Sequence, residues 1–211
     1  APTLADLDRD GVPEILAADA TGAVHAYRVT IGTHDVGEAP AAYIIVREMD
    51  GWPTAGGRGG VISEVSVGDI DKDGYPDVLH CGESARVGAY YYSGAPRGGF
   101  PTAAGDSLAP ADSAGFWPPL VADADGDGDP DVIAVLPDGI RRAYREDGGR
   151  IAGFGEYGST GSGAPPMLAD LDGDGDLDVV HAGFWLECPA DPLTGEWTKH
   201  VFADGWPNRV T

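Results

Sequence analysis

The stretch Ala169-Asp170-Leu171-Asp172-Gly173-Asp174-Gly175-Asp176-Leu177-Asp178-Val179-Val180 decides the fold. Three aspartates at alternate positions, a glycine, a further acid and a β-branched pair make one unit. The unit recurs without gaps at residues 5–14, 68–77 and 122–131, with the shared pattern D-x-D-x-D-G-x-[PL]-[DE]. Its first aspartates are Asp6, Asp69, Asp123 and Asp170, so the spacings are 63, 54 and 47 residues. An internal repeat of this period organises the whole chain.

The flanks repeat as well. A short apolar stretch precedes each motif, with Pro2, Pro119 and Pro166 in one column and Val65 in the remaining place. After each motif come Ile15-Leu16, Val78-Leu79, Val132-Ile133 and Val179-Val180, strand-like in length and composition. A glycine-containing turn follows, then a second strand with Ala26-Tyr27, Ala89-Tyr90 and Ala143-Tyr144. The fourth repeat offers Phe184-Trp185 there. Gly51-Trp52-Pro53 and Gly205-Trp206-Pro207 close the first and fourth repeats. Each unit therefore predicts a short strand, an acidic loop, two strands and a looser outer segment. Units of this size and content are blades of an all-β propeller. The chain is expected to be a single propeller or part-propeller of four blades, over approximate repeats 1–63, 64–117, 118–164 and 165–211. One blade cannot bury its own faces, so the tyrosine column and the tryptophans are expected to pack between blades.

Numbering the first aspartate as position 1, carboxylates stand at positions 1, 3, 5 and 9, and position 7 offers a backbone carbonyl. The candidate metal ligands are Asp6, Asp8, Asp10, Val12 and Glu14; Asp69, Asp71, Asp73, Tyr75 and Asp77; Asp123, Asp125, Asp127, Asp129 and Asp131; and Asp170, Asp172, Asp174, Asp176 and Asp178. Hard oxygen donors in that number suit Ca²⁺, with about four sites, and Mg²⁺ prefers fewer protein ligands. The glycine at position 6 provides the sharp turn. An EF-hand shares this pattern only through position 6. It needs an acid at position 12, where this chain has Ala17, His80, Ala134 and His181.

Composition agrees. Gly 33 and Pro 17 indicate many turns and argue against a helical bundle. The formal charge of −22 repels phosphate backbones and anionic lipid heads, which excludes nucleic-acid and membrane-surface binding. No run approaches the ~20 apolar residues of a membrane helix, so membrane insertion is not expected. Most of the acidity belongs to the loops. Cys81 and Cys188 lie in the second and fourth repeats, too far apart in the pattern to suggest adjacent-blade partners, and are expected to be unbonded to each other. The chain opens at Ala1-Pro2-Thr3, inside a repeat, and is expected to be a processed product or a piece of a longer protein.

The loops with their flanks, residues 168–180 above all, resemble the FG-GAP/VCBS repeats of integrin-α-type β-propellers and their bacterial extracellular relatives. The resemblance covers essentially the whole chain. It implies calcium in the turn between the first and second strands of each blade, and an extracellular or cell-surface setting. It implies less about activity, because such repeats occur in adhesins, lectins and polysaccharide-degrading enzymes. Such propellers commonly have more blades than the four motifs found here.

No catalytic set emerges. His25, His34, His80, His181 and His200 form no recognisable triad, and His80 and His181 share one repeat column, which points to architecture. There is no G-x-S-x-G elbow, no H-E-x-x-H and no Walker loop. The expected function is a non-enzymatic extracellular calcium-binding module in structural assembly or adhesion, with further copies of itself as partner. The alternatives are a glycan-binding, lectin-like propeller, with Trp52, Trp117, Trp185, Trp197 and Trp206 as candidates, or the scaffold of a polysaccharide-degrading enzyme. The last residues read into the first as one repeat reads into the next, so the end strands either close a ring within one chain or meet between chains, and the small number of blades favours the second, a homo-oligomer or filament.

Overall fold

A computed structural model describes residues 2–36, 39–54, 64–82, 86–100, 117–135, 141–151, 167–181 and 183–202. The described residues are all-β, in four antiparallel sheets. The first holds β1 (Thr3–Ala5), β2 (Glu14–Ala18), β3 (Val24–Val36) and β4 (Ala39–Glu48) in sequence order. The second holds β5 (Ser66–Gly68), β6 (Asp77–Gly82) and β7 (Arg86–Tyr90), with a bridge from Tyr90 to Pro96 where a fourth strand would lie. The third holds β8 (Leu120–Ala122), β9 (Asp131–Val135), β10 (Arg141–Tyr144) and β11 (Arg150–Ile151). The fourth holds β12 (Met167–Ala169), β13 (Asp178–His181), β14 (Phe184–Glu187) and β15 (Thr198–Val201). No helix among the described residues is long and apolar enough to cross a membrane.

Register explains why the repeat demands an apolar pair led by a β-branched residue. Position 9 opens the second strand of every sheet, and successive residues after it face opposite sides. The leading residue of the pair points backward. Val78 packs with Leu7, Leu16 and Val24 of the preceding sheet, and Val132 packs with Leu79 and Val87. The trailing residue points forward, Leu79 onto the third sheet and Ile133 onto Val179 and Leu186 of the fourth. Three apolar clusters thus join the sheets in sequence order. Tyr90 and Tyr144 pair with the backward-facing Val78 and Val132, and they pack on the preceding sheet as expected.

The fourth sheet corrects one alignment. Val179 pairs with Leu186, and Val180 with Trp185. Leu186 therefore occupies the tyrosine place and Trp185 the alanine place, one residue on from the Phe184-Trp185 reading. The two cysteines are free buried thiols in different clusters, Cys81 between the second and third sheets and Cys188 between the third and fourth. Burial pushes both thiols up to about 12.

His80 is buried on the backward face of β6, its ring stacked on Tyr90 with centroids 5.7 Å apart. Burial lowers it to about 4. A histidine whose folded value lies below the unfolded one contributes stability above about pH 6.5, and that contribution is lost as pH falls through 4. The shift corresponds to about 3 kcal/mol. Replacing His80 with Gln should therefore flatten the loss of stability between pH 7 and 4.5 relative to the unsubstituted chain. Identical pH slopes in urea titrations of the two proteins would show that the histidine is not the group responsible.

Candidate metal centre

The four acidic loops share one hydrogen-bond network. The position-6 amide donates to the position-1 carboxylate: Gly11 to Asp6 at 3.0 Å, Gly74 to Asp69 at 2.9 Å, Gly128 to Asp123 at 2.8 Å and Gly175 to Asp170 at 3.3 Å. The position-5 amide donates to the position-3 aspartate in all four loops, at 3.2–3.3 Å. The position-7 amide donates to the position-5 aspartate, at 2.8–3.0 Å. Finally, the position-2 amide donates back to the position-9 acid: Leu7 to Glu14, Ile70 to Asp77, Ala124 to Asp131 and Leu171 to Asp178. Short acidic side chains bonding backbone amides a few residues on make this a chain of Asx turns.

Two residues per loop take positive φ. Position 6 is always glycine, with φ between 88° and 101°. Position 4 is the one that the sequence reading does not single out: Arg9 at 62° and Lys72 at 58° adopt the left-handed conformation that Gly126 and Gly173 adopt in the other two loops. The signal was a glycine at that position in half of the copies.

The network aims carboxylates at a common point. Oxygens of Asp6, Asp8 and Asp10 lie within 4.8 Å of one another, as do those of Asp123, Asp125 and Asp127. In the second and fourth loops the converging sets are Asp69, Asp71 and Asp77, and Asp170, Asp172 and Asp178. Asp73 and Asp174 complete their loops' Asx turns outside those sets, as Glu14 and Asp131 stand outside theirs. At position 7, Val12, Tyr75, Asp129 and Asp176 are fixed by their amides.

The donor set fits a hard divalent cation. Asp6 Oδ1, Asp69 Oδ1 and Glu14 Oε1 are buried without a hydrogen-bond partner, a costly state that a cation relieves. Burial pushes the Glu14 carboxyl up, and Asp10 and Asp6 push it further. Burial also raises Asp77, and it raises Asp131 to about 6 with help from Asp125, Asp127 and Asp123. Stacked like charges of this kind favour either a proton or a metal.

Sequence reasoning missed the arginines. In β3, Arg28 bonds Asp8 and lies 3.6 Å from Glu14. Arg145, one residue after β10, bonds Asp125. Arg97 is buried and bonds Asp71 at 2.9 Å and Asp77 at 2.8 Å. The repeated pairs Tyr27-Arg28 and Tyr144-Arg145 were the available signal. Lys72 also reaches across to Asp129 and the Gly128 carbonyl of the third loop.

Of the tryptophans considered for glycan stacking, Trp52 and Trp197 are buried in the clusters between sheets, and Trp117 and Trp185 are half-buried. Trp206 lies outside the described residues, as does the side chain of His181. His25 is held between Asp19 at 3.1 Å and Glu48 at 2.6 Å, which ties β3 to the preceding turn and to β4.

Four sheets, each with an Asp-rich loop between its first two strands and joined in sequence order by three apolar clusters, define an all-β repeat protein. The FG-GAP-like repeat model matches residues 6–80, 69–134 and 123–181, each span running from one acidic loop through the strand after the next. The chain belongs to the FG-GAP-like repeat family. No curated protein and no solved structure matches it.

Proposed function

We propose that the chain is a non-enzymatic, calcium-loaded β-propeller module of the extracellular or cell-surface setting typical of its family, and that it assembles end to end with further copies of itself. Calcium is supported by the four converging carboxylate sets and by the orphaned buried oxygens of Asp6 and Asp69. A structural role is supported by how the chain uses its reactive groups. Both thiols are buried and held protonated, and His25 is tied at both ring nitrogens.

One observation carries self-assembly. The position-2 side chain points at the next sheet, and Leu7, Ile70 and Ala124 are 0%, 1% and 5% exposed beneath it. The fourth copy, Leu171, is 48% exposed, and Met167 beside it is 66% exposed. The converse holds at the other end. Val67, Val121 and Leu168 pack on the preceding sheet, whereas Leu4 in the same register is 65% exposed. Ile31, Ile44 and Val46 extend that uncovered face of the first sheet. The chain therefore carries both halves of a contact that it makes internally three times, and joining them between copies gives a heterologous, propagating interface.

Sedimentation velocity in calcium over a hundredfold concentration range should show growing mass. Leu171→Asp and Leu4→Asp should each abolish the growth while leaving circular dichroism unchanged. A single monomeric species at every concentration would overturn assembly and leave the calcium reading standing.

A further inference from the structure

The four loops differ in what surrounds them. In the first three, an arginine sits on the position-3 carboxylate: Arg28 on Asp8, Arg97 on Asp71 and Arg145 on Asp125. Arg28 and Arg145 occupy one column, the residue after the tyrosine in the third strand. In the fourth sheet Leu186 takes the tyrosine place, so the residue in the arginine column is Glu187. The column is close to the loop, because the next residue, Cys188, donates its amide to Asp178 at 2.9 Å. Where Arg97 binds Asp77 in the second loop, a neutral backbone amide thus binds the matching acid in the fourth.

The remaining environment widens the difference. The third loop also has Asp129 tied to Lys72. The fourth has Asp176 at that position and, among the described residues, no arginine or lysine bonded to any of its five acids. Glu187 is bonded at 2.5 Å to His200, whose ring stacks on Trp185. That contact ties Glu187 to β15.

We propose that the fourth loop is the high-affinity calcium site of the chain, with Glu187 as an additional acidic side chain serving it. In this scheme Arg28, Arg97 and Arg145 act as built-in counter-cations. They offset part of the carboxylate repulsion in the first three loops, and they weaken divalent binding there by competing for position-3 and position-9 oxygens. Affinity in oxygen-ligand sites follows the number of charged ligands and their rigidity. A guanidinium fixed on a carboxylate opposes a second cation at that carboxylate. The proposal rests on the calcium reading above and adds an order of filling to it.

The test is calorimetric titration of the full chain with CaCl₂, combined with hydrogen-exchange mass spectrometry at one molar equivalent. One site should bind at least tenfold more tightly than the others, and the first equivalent should protect residues 168–181 before the other loops. Asp172→Asn should remove the tight class, Glu187→Gln should weaken it severalfold, and Asp125→Asn should leave it intact. Arg145→Gln should move the third loop toward the tight class, a gain that misfolding cannot produce. Four sites of equal affinity, or a tight class that survives Asp172→Asn, would overturn the order of filling alone. No calcium uptake by any loop would overturn the calcium reading and this inference with it.

Discussion

Chelation with EDTA should lower the melting temperature by tens of degrees, and added Ca²⁺ should restore it. The loops bring carboxylate oxygens of Asp6, Asp8 and Asp10, of Asp69, Asp71 and Asp77, of Asp123, Asp125 and Asp127, and of Asp170, Asp172 and Asp178 within 4.8 Å of one another in each set. They also leave carboxylate oxygens buried without partners. Removing the cation exposes that repulsion, and the native state alone assembles the site, so binding free energy appears as folding free energy. A ligand at a hundred times its Kd stabilises by about 2.7 kcal/mol per site. Four such sites sum to about 11 kcal/mol, comparable with the whole stability of about 5–15 kcal/mol of an ordinary domain. Mg²⁺ should restore less, because it retains water in place of the protein oxygens. The readout is a thermal melt with and without chelator, paired with elemental analysis of the protein as isolated. An unchanged melt in EDTA, with no divalent metal found, would sink the calcium reading.

Much of the architecture was legible because the repeat writes it in several places at once. The apolar pair after position 9 predicts a strand whose two faces are both buried, and Val78 with Leu79 occupy two different clusters. The position-6 glycine predicts a left-handed turn, and all four copies have one. What failed to show were features that depend on pairing across strands. The arginines reach the loops from the third strand or beyond it, so nothing in the loop sequence announces them. Arg97 is the clearest case: it stands 20 residues after Asp77, and only the bridge between Tyr90 and Pro96 returns it to the loop. The one-residue offset of the fourth sheet was hidden for the same reason. Phe184-Trp185 and Trp185-Leu186 are equally strand-like, and only the pairing of Val179 with Leu186 separates them. The packing of tryptophans between sheets was legible because one sheet cannot bury its own faces. Trp52 and Trp197 are used for the interior.

Replacing Gly99 with alanine should cost about 3 kcal/mol or more, among the largest effects of any single methyl group in the chain. Gly99 has φ +85°, and a Cβ built there falls 1.7 Å from the carbonyl oxygen of Asp147. The obstacle is backbone, so no rotamer change can relieve it. Asp147 belongs to the turn after β10, closed by the Arg145 amide on Gly149 at 2.9 Å and the Gly148 amide on Arg145 at 2.8 Å. On the other side, Phe100 follows at once and packs with Val132, Ala134 and Tyr144 of the third sheet. The added methyl must therefore drive the second and third sheets apart and open that cluster. Two other glycines supply the controls. Gly98 has no positive φ and open space around its Cβ, so Gly98→Ala should be near neutral. Gly128 has φ +88° and open space, so Gly128→Ala should show only the left-handed backbone cost of about 1–2 kcal/mol. The same backbone contact joins the first and second sheets, where a Cβ on Gly51 would lie 2.1 Å from the Ser93 carbonyl oxygen. Gly51→Ala should accordingly behave like Gly99→Ala. Urea unfolding in calcium buffer should place Gly99→Ala and Gly51→Ala as the least stable, Gly128→Ala between, and Gly98→Ala nearest the unsubstituted chain. A Gly99→Ala protein no less stable than Gly128→Ala would show that these glycines do not hold neighbouring sheets at their spacing.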